Sequence, residues 1–97
     1  MSHRVRISPV AETEILAIWD YTAAHHGVVA ADGYVTDLDT VMSRLLDFPL
    51  LGEDCSHIRQ GYRRIRARDH VIYYVPHDRG IEVMRVLHPR QDTRHRL

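Results

Sequence analysis

The chain has 97 residues, 44% hydrophobic and 27% charged, with a formal net charge of zero, which is enough for one core and not for two. Its uncharged stretches fall well short of the roughly 20 apolar residues of a membrane span, no apolar leader precedes a cleavage site, and a lone cysteine, Cys55, cannot form an internal disulfide. A single cytoplasmic domain over residues 1–97 is expected, with no CxxC redox or zinc pair. All basic residues are arginine: residues 1–56 hold three against nine acids, a balance of −6, and residues 57–97 hold ten against four, a balance of +6. A C-terminal half of that sign suits an anionic partner, either nucleic acid or an acidic protein segment, unless the halves simply neutralise each other across the fold.

In chain order, His3 to Ile7 alternates, with Val5 and Ile7 on one face and Arg4 and Arg6 on the other, the period of a half-buried strand. Ser8-Pro9 supplies an N-cap and a first helical residue, and Glu12 and Glu14 suit the positive end of the helix dipole. Ala11, Ile15, Ile18, Trp19 and Thr22 then recur at helical spacing through about Ala24. His25-His26-Gly27 breaks the pattern. A second helix carries Ala31, Tyr34, Leu38, Val41, Met42 and Leu45 as one stripe and closes at Phe48-Pro49 and Gly52, so the pair reads as an αα-hairpin. After a connection over 51–60, three β-patterned runs follow, Tyr62 to Ala67, Val71 to Val75 and Ile81 to Leu87, with breaks short enough for hairpins. The expected fold is α+β: a two-layer β-α-α-β-β-β domain, its helical hairpin on one face of a mainly antiparallel four-stranded sheet.

Candidate chemistry is thin. No serine sits in a nucleophile elbow, Cys55 has no evident orienting partner, and no phosphate loop or dinucleotide fingerprint is present. No cofactor is expected. His88, Asp92 and His95 have i, i+4, i+7 spacing and would share a helix face, but Pro89 intervenes, so no metal site is assigned. The strongest constellation is cationic. Tyr62, Arg64, Arg66 and Arg68 project from one side of their strand, while Arg63 lies with Ile65 and Ala67. Tyr73 and Tyr74 point to opposite faces, so one should join the exposed arginines. Arg85 and His88 end the last strand, on opposite faces unless a bulge intervenes. Such a surface suits docking of an acidic segment; alternatively, Arg64, Arg66 and Arg85 with His88 and Tyr73 suit metal-free RNA cleavage, the arginines holding the phosphate and a His or Tyr moving the 2′-hydroxyl proton. A binding surface is the more economical reading, because no opposing carboxylate is evident.

The ordered set SPVAETEILAIWDYTAAHHG, Ala31 and Tyr34 with Leu38, LLDFPLLGED, QGYRRI followed by DHVIYYV, and IEVMRVLHPRQDTRHRL resembles the ParE/RelE superfamily of bacterial type II toxin–antitoxin toxins, ParE branch, over nearly the whole chain. The resemblance implies a toxin neutralised by a cognate ParD-like antitoxin in a hetero-oligomer and directed at DNA gyrase by binding rather than catalysis. It also leaves two alternatives: a RelE-like ribosome-dependent mRNA endoribonuclease, disfavoured by the absence of lysine, and a non-toxic homologue that acts only in an antitoxin complex. It places contact residues on the hairpin (Trp19, Tyr34), on the sheet (Arg63, Arg64, Arg66, Tyr74, Arg85) and on the tail (Arg90, Arg94, Arg96), and it ties toxicity to the tail from Pro89 to Leu97 and to the hairpin.

Overall fold

The computed structural model describes residues 4–91 and 93–97, the side chains of 93 and 94 excepted. Strand β1 (Arg4–Ile7) leads into helices α1 (Pro9–His26) and α2 (Val28–Asp47); strands β2 (Glu53–Asp54), β3 (Arg63–Ala67), β4 (His70–His77) and β5 (Gly80–Leu87) follow, and a last turn, α3 (Thr93–Arg96), lies near the end.

Local chemistry accounts for the helix boundaries. Ser8 Oγ accepts the Ala11 amide at 3.0 Å and donates to the Met84 carbonyl at 2.8 Å, so the cap of α1 also fastens that helix to β5. The helix runs to His26, two residues beyond the expected end. Gly27 stops it: at φ 91 this residue leaves the right-handed region, and its amide closes the final turn on Ala23 O at 3.0 Å. The helix-two stripe behaves as its spacing requires, with Ala31, Tyr34, Leu38, Met42 and Leu45 buried and Val41 packed at their margin.

The sheet has five strands rather than four, in the order β1-β5-β4-β3-β2. The added strand is two acidic residues with no alternation to betray it; Glu53 pairs with Arg64 and Asp54 with Arg63. The first strand lies parallel to β5, from Arg4 opposite Gly80 to Ile7 opposite Val83, and the other pairs are antiparallel, so the sheet is mixed. A register shift between Tyr73 and Tyr74 marks a bulge in β5, where Tyr74 faces Val83 and Tyr73 faces Arg85.

One sheet face meets the helices: Ile72, Tyr74, Ile81, Val83 and Val86 pack against Ala11, Ile18 and the helix-two stripe. Burying one such branched side chain contributes about 1.5–3 kcal/mol. The opposite face is covered as well. Cys55, Tyr62, Tyr73 and Leu87 form a second buried cluster, flanked by Ile58, Val71, Val75, Met84 and Leu97. The 55–62 connection and the end of the chain therefore act as a partial third layer.

Candidate functional site

Arg64, Tyr73 and Arg85 are neighbours across β3, β4 and β5, on the face away from the helices, as alternation requires. The expected open cationic surface is not what they form. Tyr73 is buried, 3% exposed, beneath the second cluster. The Arg64 guanidinium is held by Glu53, with both Nε and Nη2 2.6 Å from Oε1, and that hydrogen bond, together with one to Tyr73, raises its pKa. Arg85 grips Glu14 of α1 through Nε, 3.2 and 3.1 Å from the two carboxylate oxygens, and through Nη2 at 2.7 Å. That contact raises the Arg85 pKa, and Nη1 of the same guanidinium also donates to the Arg96 carbonyl. Glu14 accepts the Val86 amide at 2.9 Å as well. It thereby caps a backbone donor just past the point where β1 leaves β5, a sharper task than the dipole role its position suggested.

Tyr74 corrects an expected contact residue. It is fully buried on the helix side, where its hydroxyl donates to Pro49 O at 2.7 Å and accepts from Gly52 N at 2.9 Å. Gly52 is required there, since a Cβ would stand 2.6 Å from the Tyr74 hydroxyl and 2.8 Å from Arg64 O. Arg63 locks the same loop by donating to Gly52 O at 2.9 Å and Leu50 O at 3.2 Å. Both residues build the 49–52 loop. Arg66 remains exposed, its Nε donating to Arg68 O at 2.8 Å.

His88 does not join the arginines. Its ring meets His70 edge-on, centroids 5.8 Å apart, and His70 meets Tyr34 edge-on at 5.6 Å. The Tyr34 hydroxyl lies 2.6 Å from His70 Nδ1 and accepts the Asp69 amide at 3.1 Å. With His70 neutral and protonated on Nε2, the tyrosine donates to Nδ1 while accepting the Asp69 amide. Burial, and then the neighbouring His88, lower the His70 pKa, while burial raises that of Tyr34. A turn follows, Arg90 N donating to His88 Nδ1 at 3.2 Å and Gln91 N to His88 O at 3.0 Å. Helix resumes only at Thr93, so the continuous helix that would align His88, Asp92 and His95 does not form; Asp92 itself lies outside the described residues.

Beside this cluster a cleft of about 590 Å³ opens between the helices and the β3–β4 turn, walled by Ala17, Ile18, Tyr21, Tyr34, Arg68 and His70. Arg68 sits over the Tyr34 ring, 4.7 Å from its centroid, and pairs with Asp37 at 2.7 Å. Sequence reasoning named Tyr34 as a contact residue and Arg68 as one of the exposed arginines but did not bring them together, because the residues that meet here are some 35 apart in the chain. Trp19 is half-buried and donates its indole N–H to Asp32 Oδ1 at 2.9 Å, tying α1 to α2. On the tail, Arg90 and Arg96 are exposed, Leu97 O accepts from Arg59 at 2.7 Å, and the Arg94 side chain lies outside the described residues.

Comparison with known proteins decides the family. A family model described as the ParE toxin of the type II toxin–antitoxin system, parDE, matches residues 5–93. The chain belongs to the ParE toxin family. The chain is 38% identical over 94 residues to Toxin ParE1 of Mycobacterium tuberculosis, covering 96% of both chains, and 32% identical over 92 residues to Toxin ParE1 of Caulobacter vibrioides, covering 95% of both. A solved structure of the chromosomal ParDE system of P. aeruginosa superimposes with a TM-score of 0.76 at 16% identity, over 89% of this chain and 95% of that one, which shows the shared fold. The match falls in the ParE branch, so the RelE-like alternative is not favoured. For this ParE-family chain, no helix among the described residues is long and apolar enough to cross a membrane.

Proposed function

We propose that this chain is the toxin of a ParDE-type module, held inactive by a ParD-like antitoxin in the cytoplasm and acting on DNA gyrase by binding. The observation that carries the reading is the match to the ParE family along nearly the whole chain. The state of the arginine row supports action by binding. Arg64 and Arg85 are occupied by Glu53 and Glu14, Tyr73 is buried, and His88 faces His70, so the five residues considered for RNA cleavage do not converge on one accessible point. Exposed Tyr21, which lines one cleft with exposed Arg68, offers an antitoxin an apolar anchor next to a cation suited to acidic side chains, and Leu16, Val28 and Val29 are further exposed apolar residues of the helical hairpin.

Purified protein should inhibit gyrase supercoiling, and a stoichiometric cognate antitoxin should relieve the inhibition. Primer extension on translated messages during induced growth arrest should show intact transcripts. Codon-linked cuts that vanish in His88→Ala would overturn the reading in favour of an endoribonuclease. Arrest with unaffected gyrase and intact messages would remove gyrase as the target, and undisturbed growth on induction would leave a role in the antitoxin complex alone.

A further inference from the structure

A second cleft, of about 340 Å³, lies at the opposite end of the sheet from the Tyr34 cluster and is lined by Arg4, Arg6, His77, Arg79, Gly80 and Ile81. Its cations come from two elements far apart in sequence. Alternation puts Val5 into the core and turns Arg4 and Arg6 the other way along the edge strand β1, about 7 Å apart at the strand rise. His77 is the last residue of β4 and Arg79 lies in the turn to β5. The Arg4 amide donates to Arg79 O at 3.0 Å, and a Cβ on Gly80 would collide with Arg4 O, so only glycine lets the strand and the turn approach this closely.

Among the described residues no carboxylate lines the cleft. Glu82, the register partner of Arg6, stands 3.6 Å from His77 Nε2, and Asp78 occupies the turn. Among the described residues neither Arg4 nor Arg6 has a carboxylate partner, unlike Arg64, Arg68 and Arg85, which are each held by one. Arg63 is likewise paired with Asp54, so the chain gives four of its arginines a carboxylate and leaves Arg4 and Arg6 on an exposed edge. Guanidinium groups match phosphate oxygens in bidentate geometry. Two of them at successive same-face positions of an open strand suit a ligand carrying phosphates in succession rather than one isolated ion. We propose that this cleft holds the phosphate backbone of a nucleic-acid strand laid along β1. The proposal goes beyond the toxin assignment and does not depend on the identity of the target.

The test is fluorescence anisotropy of a short fluorescein-labelled single-stranded DNA titrated with purified protein across a salt series. Losing two phosphate contacts in Arg4→Gln/Arg6→Gln should weaken low-salt binding roughly tenfold and reduce the slope of log affinity against log salt by about 1.4. Arg4→Lys/Arg6→Lys, which keeps the charge, should retain the wild-type slope, and Arg90→Gln/Arg96→Gln on the tail should match wild type. Unlabelled inorganic pyrophosphate should displace the DNA only far above the oligonucleotide's own dissociation constant. Wild-type binding by the glutamine pair, or loss caused by the tail pair in its place, would overturn the assignment. So would pyrophosphate binding as tightly as the oligonucleotide, which identifies a free phosphate ligand, or poly-glutamate competing equally well, which identifies an acidic protein segment.

Discussion

Replacing Glu14 by Ala removes one carboxylate that serves two clients. Its side chain is 18% exposed and that of Arg85 is 20%, so the pair is about four-fifths out of water. The Val86 amide loses its acceptor, which costs about 1–2 kcal/mol for a buried donor. The guanidinium loses both carboxylate oxygens. Breaking a fully buried pair on one side costs about 3–5 kcal/mol, but a fifth of this site is solvated and Arg96 O remains, so about 2 kcal/mol is the fitting share. The sum, about 3 kcal/mol, corresponds to a melting-temperature drop of about 12–24 °C for a chain of this size. Glu14→Gln keeps an oxygen for Val86 and loses only the charge, so it should cost about half as much. Urea denaturation followed by circular dichroism measures both, and a cycle with Arg85→Met should return a coupling of about 2 kcal/mol. An alanine variant within 1 kcal/mol of wild type, or a glutamine variant as damaging as alanine, would refute the claim that Glu14 caps the edge of β5.

Stability should also depend on His70. The unfolded chain takes up a proton near this residue's ordinary pKa of 6.5 while the folded chain resists it, so lowering the pH through that value favours unfolding, until the folded His70 protonates too. His70→Gln, which still presents an acceptor to Tyr34, should flatten that part of the profile in melts taken from neutral to mildly acidic pH; an unchanged slope would acquit the residue. Gly52→Ala should cost about 1–3 kcal/mol through the collision with Tyr74 and Arg64 O, read from denaturation midpoints. Tyr74→Phe orphans the Gly52 amide and should cost about 1–3 kcal/mol in the same assay. Leu38→Ala, fully buried under the sheet, should cost about 2–5 kcal/mol by the same measurement.

Where one element imposes its own period, the fold was readable in advance. The helix-two stripe, the Ser8-Pro9 start and the alternation that separates Ile65 and Ala67 from Arg64 and Arg66 all agree with the structure. What escaped was set by partners distant in sequence. Glu53–Asp54 becomes a strand only because two arginines stand opposite it, and the orientation of β1 is a matter of register with a strand some 76 residues later. The site was legible as composition and not as arrangement. Arginines on the outer face were foreseen, but not that Glu14 and Glu53 would occupy two of them, nor that a connection without regular structure would bury Tyr73. Charge signs show in a sequence, whereas pairing depends on which carboxylate the tertiary fold delivers.

The parallel pairing of β1 with β5 also orders events in time. The two long helices and the four antiparallel strands find their partners locally, whereas the first strand must wait for a segment made more than 70 residues after it. At about 5–20 residues per second, the interval between Ile7 leaving the ribosome's catalytic centre and Gly80 being added is about 4–15 s. During it the Ser8 cap has no Met84 carbonyl and Glu14 has neither Arg85 nor Val86 to hold. A nascent toxin of this topology therefore spends those seconds unable to close its own sheet, and a partner made beforehand has that interval in which to meet it before the fold is complete.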